Sequence, residues 1–174
     1  MFSFVGHATE INGKLFLIPA GLKLKDTANL KSDDDLERHL RRHALLFDEV
    51  QAILRQVRRG QKPTVFVLDC CRSNGFYSTR APAEDKMAAP SPDLINSCII
   101  FSTQSGQVAF DGDPGRGGPF MSAFADSILL PNASLDDIMI ETRKRVIQST
   151  NEVQMAPAYS ALTEKFVFNP GDGS

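Results

Sequence analysis

The run Val65-Phe66-Val67-Leu68-Asp69-Cys70-Cys71 sets unbroken apolar residues directly before an acid and two cysteines. A strand with one wet face alternates apolar and polar residues, so an unbroken run of this length reads as a strand covered on both faces, as in the parallel sheets of α/β proteins. A second run, Phe2-Ser3-Phe4-Val5-Gly6-His7-Ala8, has the same shape and stops at a histidine. Open α/β sheets carry their sites at the edge where the parallel strands end. A thiol and an imidazole presented side by side at such an edge form the pairing that activates a cysteine nucleophile.

The remaining elements alternate around these strands. Glu10–Gly13 reads as a turn and Lys14–Ile18 as a strand stopped by Pro19, with residues 20–33 as a loop. Asp33, Asp34 and Asp35 cap a helix starting at Leu36. The apolar spacing of Leu45, Leu46, Val50, Ile53, Leu54 and Val57 carries on to Gly60, so the stretch reads as one amphipathic helix with room for a break. Residues 72–96 lack periodicity and contain Gly75, Pro82, Pro90 and Pro92; a loop of this length is functional or disordered. Cys98–Ser102 reads as the next buried strand, followed by a Gly-rich turn over Gly112–Gly118. Helices are expected at about 119–130 and 134–149, the second capped by Ser134 with Asp136 and Asp137 in its first turn. Lys165–Phe168 reads as a short closing strand. With no internal repeat, residues 1–169 are expected to form one domain and residues 170–174 a disordered tail.

Composition narrows the function classes. A chain of 174 residues with 42% apolar content has a core of useful size. Its net charge of -2 argues against a nucleic-acid surface, which would be strongly basic. The clusters Arg38, Arg41, Arg42 and Arg55, Arg58, Arg59 read as solvated helix faces. No apolar run approaches the roughly twenty residues that span a bilayer, so no membrane partner is expected. His7, Glu10 and Lys14 interrupt the first residues and no basic start precedes them, which is unlike a signal peptide. Three cysteines without framework spacing point to reduced thiols and a cytosolic or nuclear, here cytoplasmic, location.

Strand-Gly6-His7, followed by strand-Asp69-x-Cys71-Arg72, resembles the caspase-like cysteine peptidases, the clan of caspases, metacaspases and paracaspases. Leu15-Phe16-Leu17-Ile18-Pro19 resembles the segment after the catalytic histidine, and Ile99–Ala109 the strand and turn after the catalytic cysteine. Gly118-Pro119-Phe120-Met121-Ser122-Ala123-Phe124 resembles the helix start that follows. No single motif decides the matter; their shared order does. The implied fold is a three-layer α/β arrangement, caspase-like, with a mostly parallel sheet. The implied activity is that of a cysteine-type endopeptidase on protein or peptide substrates, with no cofactor.

The resemblance assigns roles residue by residue. Cys71 is the candidate nucleophile and His7 the group that moves its proton and protonates the leaving amine. Cys70, next along the strand, points the opposite way and, with Cys98, reads as an ordinary buried thiol. Backbone N–H groups of Cys71 and Ala8 would hold the oxyanion. Asp69 falls on the thiol's side of the strand, and with Asp111 it implies a pocket for Arg or Lys before the cleaved bond, of metacaspase or paracaspase type. Arg80 and Lys86, in the long loop, are candidate processing sites. Glu84, Asp85 and Asp93 are the acids for a calcium site of the kind some metacaspases carry, but their spacing is not that of a calcium loop. His39 and His43, four apart on a helix, lack a third metal ligand and read as solvated.

Two departures from the family keep a second reading open. Members begin with strand–helix units ahead of the strand that ends in histidine, and here that strand comes first, so the sheet is expected to lack N-terminal strands and to expose an apolar edge. The chain is then a fragment, a shortened gene product, a domain completed by another chain, or a rearranged fold. The residue after the histidine is normally glycine. Ala8 would cost roughly 1 kcal/mol there if the position needs a positive φ. The alternative is therefore a catalytically weak or inactive caspase-like domain serving as an interaction or regulatory module, as a homodimer or paired with a related domain. Other classes fail on spacing. Tyr77 stands where a phosphatase loop needs arginine, papain-like enzymes place cysteine before histidine, and neither a phosphate-binding loop nor a dinucleotide fingerprint is present.

Overall fold

The computed structural model of the protein describes residues 1–22, 30, 32–57, 62–71, 95–104, 107, 109–112 and 117–171. Strand β1 runs from Phe2 to Ile11 and returns through β2, Lys14–Ile18. The turn expected over Glu10–Gly13 is only Asn12-Gly13, both at positive φ (50° and 71°). Asn-Gly is the pair that suits a two-residue hairpin turn, because both central residues must adopt that conformation.

Helix α1 spans Asp33–His43, strand β3 Leu45–Leu46 and helix α2 Phe47–Val57. The single helix expected over this stretch is thus two. Leu45 and Leu46 pair with Leu17 and Phe16 of β2, and buried Leu46 joins Phe16, Ile18, Leu36 and Leu40 in one apolar cluster. Strand pairing plus that burial outweighs the local helical period. The cap also moves. Ser32 accepts the N–H of Asp35, and the three acids fill the first turn, where the helix dipole favours negative charge.

The centre of the sheet is β4, Thr64–Cys70, every residue of it buried, and β5, Ser97–Phe101. Helices α3, Pro119–Ser127, and α4, Leu135–Ser149, follow, the latter opened by a capping box between Ser134 and Asp137. Strand β6, Ala158–Ser160, closes the sheet antiparallel to β5. It replaces the closing strand expected at Lys165–Phe168, where Val167 makes only an isolated bridge to Ser134. Phe166 and Phe168 pack instead against the α3–α4 cluster.

The sheet order is β3-β2-β1-β4-β5-β6, with β1, β4 and β5 parallel and the outer strands antiparallel. Alternation along β4 divides the core. Val65 and Val67 pack with Phe120, Phe124, Ile138 and Met139 of α3 and α4. Phe66, Leu68 and Cys70 pack on the other face with Phe47, and Val50 and Leu54 of α2 lie against them. These are the three layers of the expected α/β fold. Burying each of these side chains stabilises the fold by about 1.5–3 kcal/mol. Over Phe2–Gly6, β1 has β4 on one side, and among the described residues no strand on the other; Val5 there is 64% exposed. No described helix is long and apolar enough to cross a membrane.

Candidate active site

Parallel pairing sets Phe2 beside Phe66 and continues to Gly6 beside Cys70. His7 and Cys71 are the next residues on the two neighbouring strands, and there the strands part. β1 runs on, handed from β4 to the hairpin partner β2, with His7 opposite Ile18. β4 ends. Its last residue is pinned by Ser102, fully buried, whose Oγ accepts the Cys70 N–H at 3.1 Å. Cys71 therefore leaves the sheet at a fixed point. His7 and Cys71 both line a cleft of about 260 Å³, with Asp69, Phe110, Asp111 and Gly118 among its other walls. His7 is exposed and Cys71 half-buried. The Cys71 thiol points to the Ala109 carbonyl, Sγ to O 3.9 Å, and among the described residues no hydrogen bond joins it to His7.

Ala8 sits in the antiparallel part of β1, opposite Leu17, and is absent from the residues at positive φ. An alanine side chain therefore costs nothing special there, and the anticipated strain does not arise. The hairpin register adds a second point. With a two-residue turn, Ile11 and Lys14 form a hydrogen-bonded pair, and pairs alternate from there, so Ala8 and Leu17 form a non-hydrogen-bonded pair. The Ala8 N–H accordingly points away from β2, towards the side of the sheet where β4 has just ended.

The adjacent cysteines both border the cleft but differ in burial. Cys70 is fully buried and packs among Phe66, Leu68 and Phe101, while Cys71 is half-buried. Cys98 is buried on the α3–α4 face, and burial pushes its thiol up to about 11. Neither buried thiol is placed to react.

Asp69 shares the face of Val65 and Val67 and lines the cleft beside Cys71, as alternation predicts. Although 92% buried, counting from its 8% exposure, its carboxyl is left without a cation among the described ion pairs. Burial holds its pKa above the ordinary carboxylate value, a Ser102 hydrogen bond offsets part of this, and the charge of Asp111 adds to it. Asp111 is exposed at the rim. Gly118 packs close to Phe110 and Asp69. A Cβ there would stand 2.6 Å from the Phe110 carbonyl and 3.5 Å from Asp69 Oδ2.

His39 and His43 lie on α1, away from this cleft, their rings 4.6 Å apart. They line a separate pocket with Arg38, Arg42 and Asp35, and Asp35 is engaged by Arg38 at 2.6 Å. Among the described residues no three metal-binding side chains cluster. Arg80, Lys86, Glu84, Asp85 and Asp93 lie outside the described residues. Sequence reasoning missed Ser102, whose hydroxyl holds the end of β4, and Gly118, which packs beside Asp69. Ser102 is legible only as a strand residue.

No curated relative matches the chain. Among solved structures it is similar to caspase-1 from Spodoptera frugiperda, with 18% identity and a TM-score of 0.46 over 63% of this chain and 48% of that one. The chain thus spans about half the length of that relative. The family described as the caspase domain matches residues 1–167, and with its strands, layers and cleft described, the chain belongs to that family.

Proposed function

We propose that this caspase-family domain is a cysteine-type endopeptidase that cleaves after Arg or Lys. The observation that carries the reading is the juxtaposition at one strand step: His7 and Cys71 open on the same cleft, and Asp69 lies in its wall with no ion pair among the described residues. In the proposed reaction His7 takes the Cys71 thiol proton, and the thiolate attacks the scissile carbonyl. The oxyanion is held by the N–H groups of Ala8 and Cys71. Protonated His7 then gives its proton to the leaving amine, and a water activated by His7 hydrolyses the thioester. A substrate guanidinium or ammonium between Asp69 and Asp111 pairs with both acids and offsets the cost of burying the carboxylate. This acid pair supports a metacaspase or paracaspase type, acting on protein substrates in the cytoplasm.

One observation favours a second reading, a domain that binds without turnover: the Cys71 thiol is turned to Ala109 and not to His7. Pairing with a second domain is then its function, or the step that reorients the thiol. Paired fluorogenic peptides ending in Arg or Asp, with and without calcium, separate the two. Arg-selective turnover that vanishes in Cys71→Ala is expected. A folded sample with no turnover on either peptide would sink the peptidase reading and leave the binding module.

A further inference from the structure

Gln154 lies between α4 and β6 with its side chain almost fully enclosed, 1% exposed, and it is not among the residues lining the cleft. Both ends of its amide are used. Nε2–H donates to the Ser102 carbonyl at 2.8 Å, and Oε1 accepts the Phe110 N–H at 3.2 Å. The residue is itself fixed from behind. Its backbone N–H donates to Thr150 Oγ1 at 3.1 Å, and the Thr150 hydroxyl donates to the Val146 carbonyl at 2.7 Å. A continuous path of hydrogen bonds thus runs from the last turn of α4, through one buried amide, to two backbone groups that hold the cleft. Ser102 pins the end of β4, and Phe110 lies between Ala109, which faces the thiol, and Asp111.

This placement meets a need. Asp69 and Asp111 carry like charge, and Asp111 is exposed, so repulsion favours moving it away from the cleft. A fixed backbone one residue away opposes that movement. We propose that Gln154 is a positioning residue for recognition of a basic side chain: by holding the Phe110 amide to the end of β5 it sets where Asp111 stands relative to Asp69. The proposal rests on reading those two acids as the pocket for Arg or Lys.

The test uses the full chain carrying Cys71→Ala, so that bound peptide is not turned over, with Gln154, Gln154→Met or Gln154→Glu. The probes are two peptides that end in arginine or in its uncharged isostere citrulline, titrated by NMR, together with amide exchange at Phe110. Methionine keeps the length and removes both hydrogen bonds; glutamate, as the neutral acid that burial favours, keeps an acceptor for the Phe110 N–H and an O–H donor for the Ser102 carbonyl. In the methionine variant Phe110 exchange should accelerate about tenfold or more, and the preference for arginine over citrulline should fall about tenfold. The glutamate variant should keep Phe110 protection and preference within about threefold, and it decides the matter if the methionine variant does not fold. Unchanged Phe110 exchange in the methionine variant, or lost protection in the glutamate variant, overturns the proposal. So does faster exchange with an unaltered preference, since a merely structural residue weakens both peptides alike. A parent that binds both peptides equally instead overturns the acidic-pocket reading, and the positioning role with it.

Discussion

β1 and β4 are neighbours with the same local grammar, an apolar run ending in a reactive residue, yet one continues where the other stops. β1 passes His7 and runs to Ile11 because the hairpin partner β2 pairs with it from His7 onward, taking up the backbone groups of every second residue. Among the described residues β4 gains no such partner beyond Cys70, and the Cys70 N–H goes to the Ser102 side chain. A reactive site needs backbone groups that are held in place but not consumed by the sheet. The parting of these strands leaves such groups at the proposed site, with an imidazole on a continuing strand and a thiol on a terminated one.

The largest effect should come from removing the group that only one of the strands offers. Cys71→Ala is expected to lower peptide turnover by about a thousandfold or more with the melting temperature unchanged. Cys70→Ala, one residue back on the buried face, should do the reverse, with turnover per folded molecule retained and thermal stability reduced. Equal effects of the two substitutions on turnover would erase the distinction between strand interior and strand end.

Asp69→Asn sharpens the comparison through charge. Discrimination between peptides ending in arginine and citrulline should fall about ten- to a hundredfold, as loss of a charged hydrogen-bonding partner of about 1.5–3 kcal/mol implies. The folded protein should become more stable at neutral pH. The Asp69 pKa is raised in the fold, so its ionised form destabilises the native state above that pKa, and the penalty disappears as pH falls below the ordinary value of 3.8. The stabilisation by asparagine should accordingly be full at neutral pH and vanish in acid. A gain that grows as pH falls would contradict the assigned direction.

Ser102→Ala removes the hydroxyl that accepts the Cys70 N–H at the buried end of β4. Denaturant unfolding should report a loss of about 1–3 kcal/mol, and a loss much below that would mean that the end of β4 is held by something else. The smallest effect is expected at Ala8. Since its φ is not positive, Ala8→Gly should not raise turnover, and it should reduce stability by roughly 0.5–1 kcal/mol through the greater freedom of the unfolded chain. A clear gain in turnover would show that the residue after His7 needs the conformation that glycine favours.

Much of the fold was legible because the physics behind it is local. Residues Val65–Leu68 and Ile99–Phe101 are apolar on both faces, so they can only be covered strands, and Ser134 with Asp137 can cap a helix without outside help. Leu45 and Leu46 were not legible. They satisfy the helical period of their neighbours, and only the presence of β2 beside them makes strand pairing the better use of their backbone. The closing strand was misplaced for a similar reason. Lys165–Phe168 has the apolar and β-branched content of a strand, but β5 is already occupied by Ala158–Ser160, and Phe166 and Phe168 are worth more against Phe124 and α4.

The candidate site divides in the same way. Sequence alone determined the residue types and their order: a histidine and a cysteine each closing a short apolar run, Asp69 two residues before the thiol, and Asp111 after the next strand. Alternation along a strand then fixed that Asp69 and Cys71 share a side and that Cys70 does not, because successive side chains point to opposite faces. Only the tertiary structure decided that β1 lies beside β4 in the register that brings His7 level with Cys71, that the Ala8 N–H faces the vacated end of β4, and that Gln154 ties Phe110 to Ser102. Those relations join residues far apart in the chain through hydrogen bonds that one partner alone cannot specify, so no local pattern in the sequence records them.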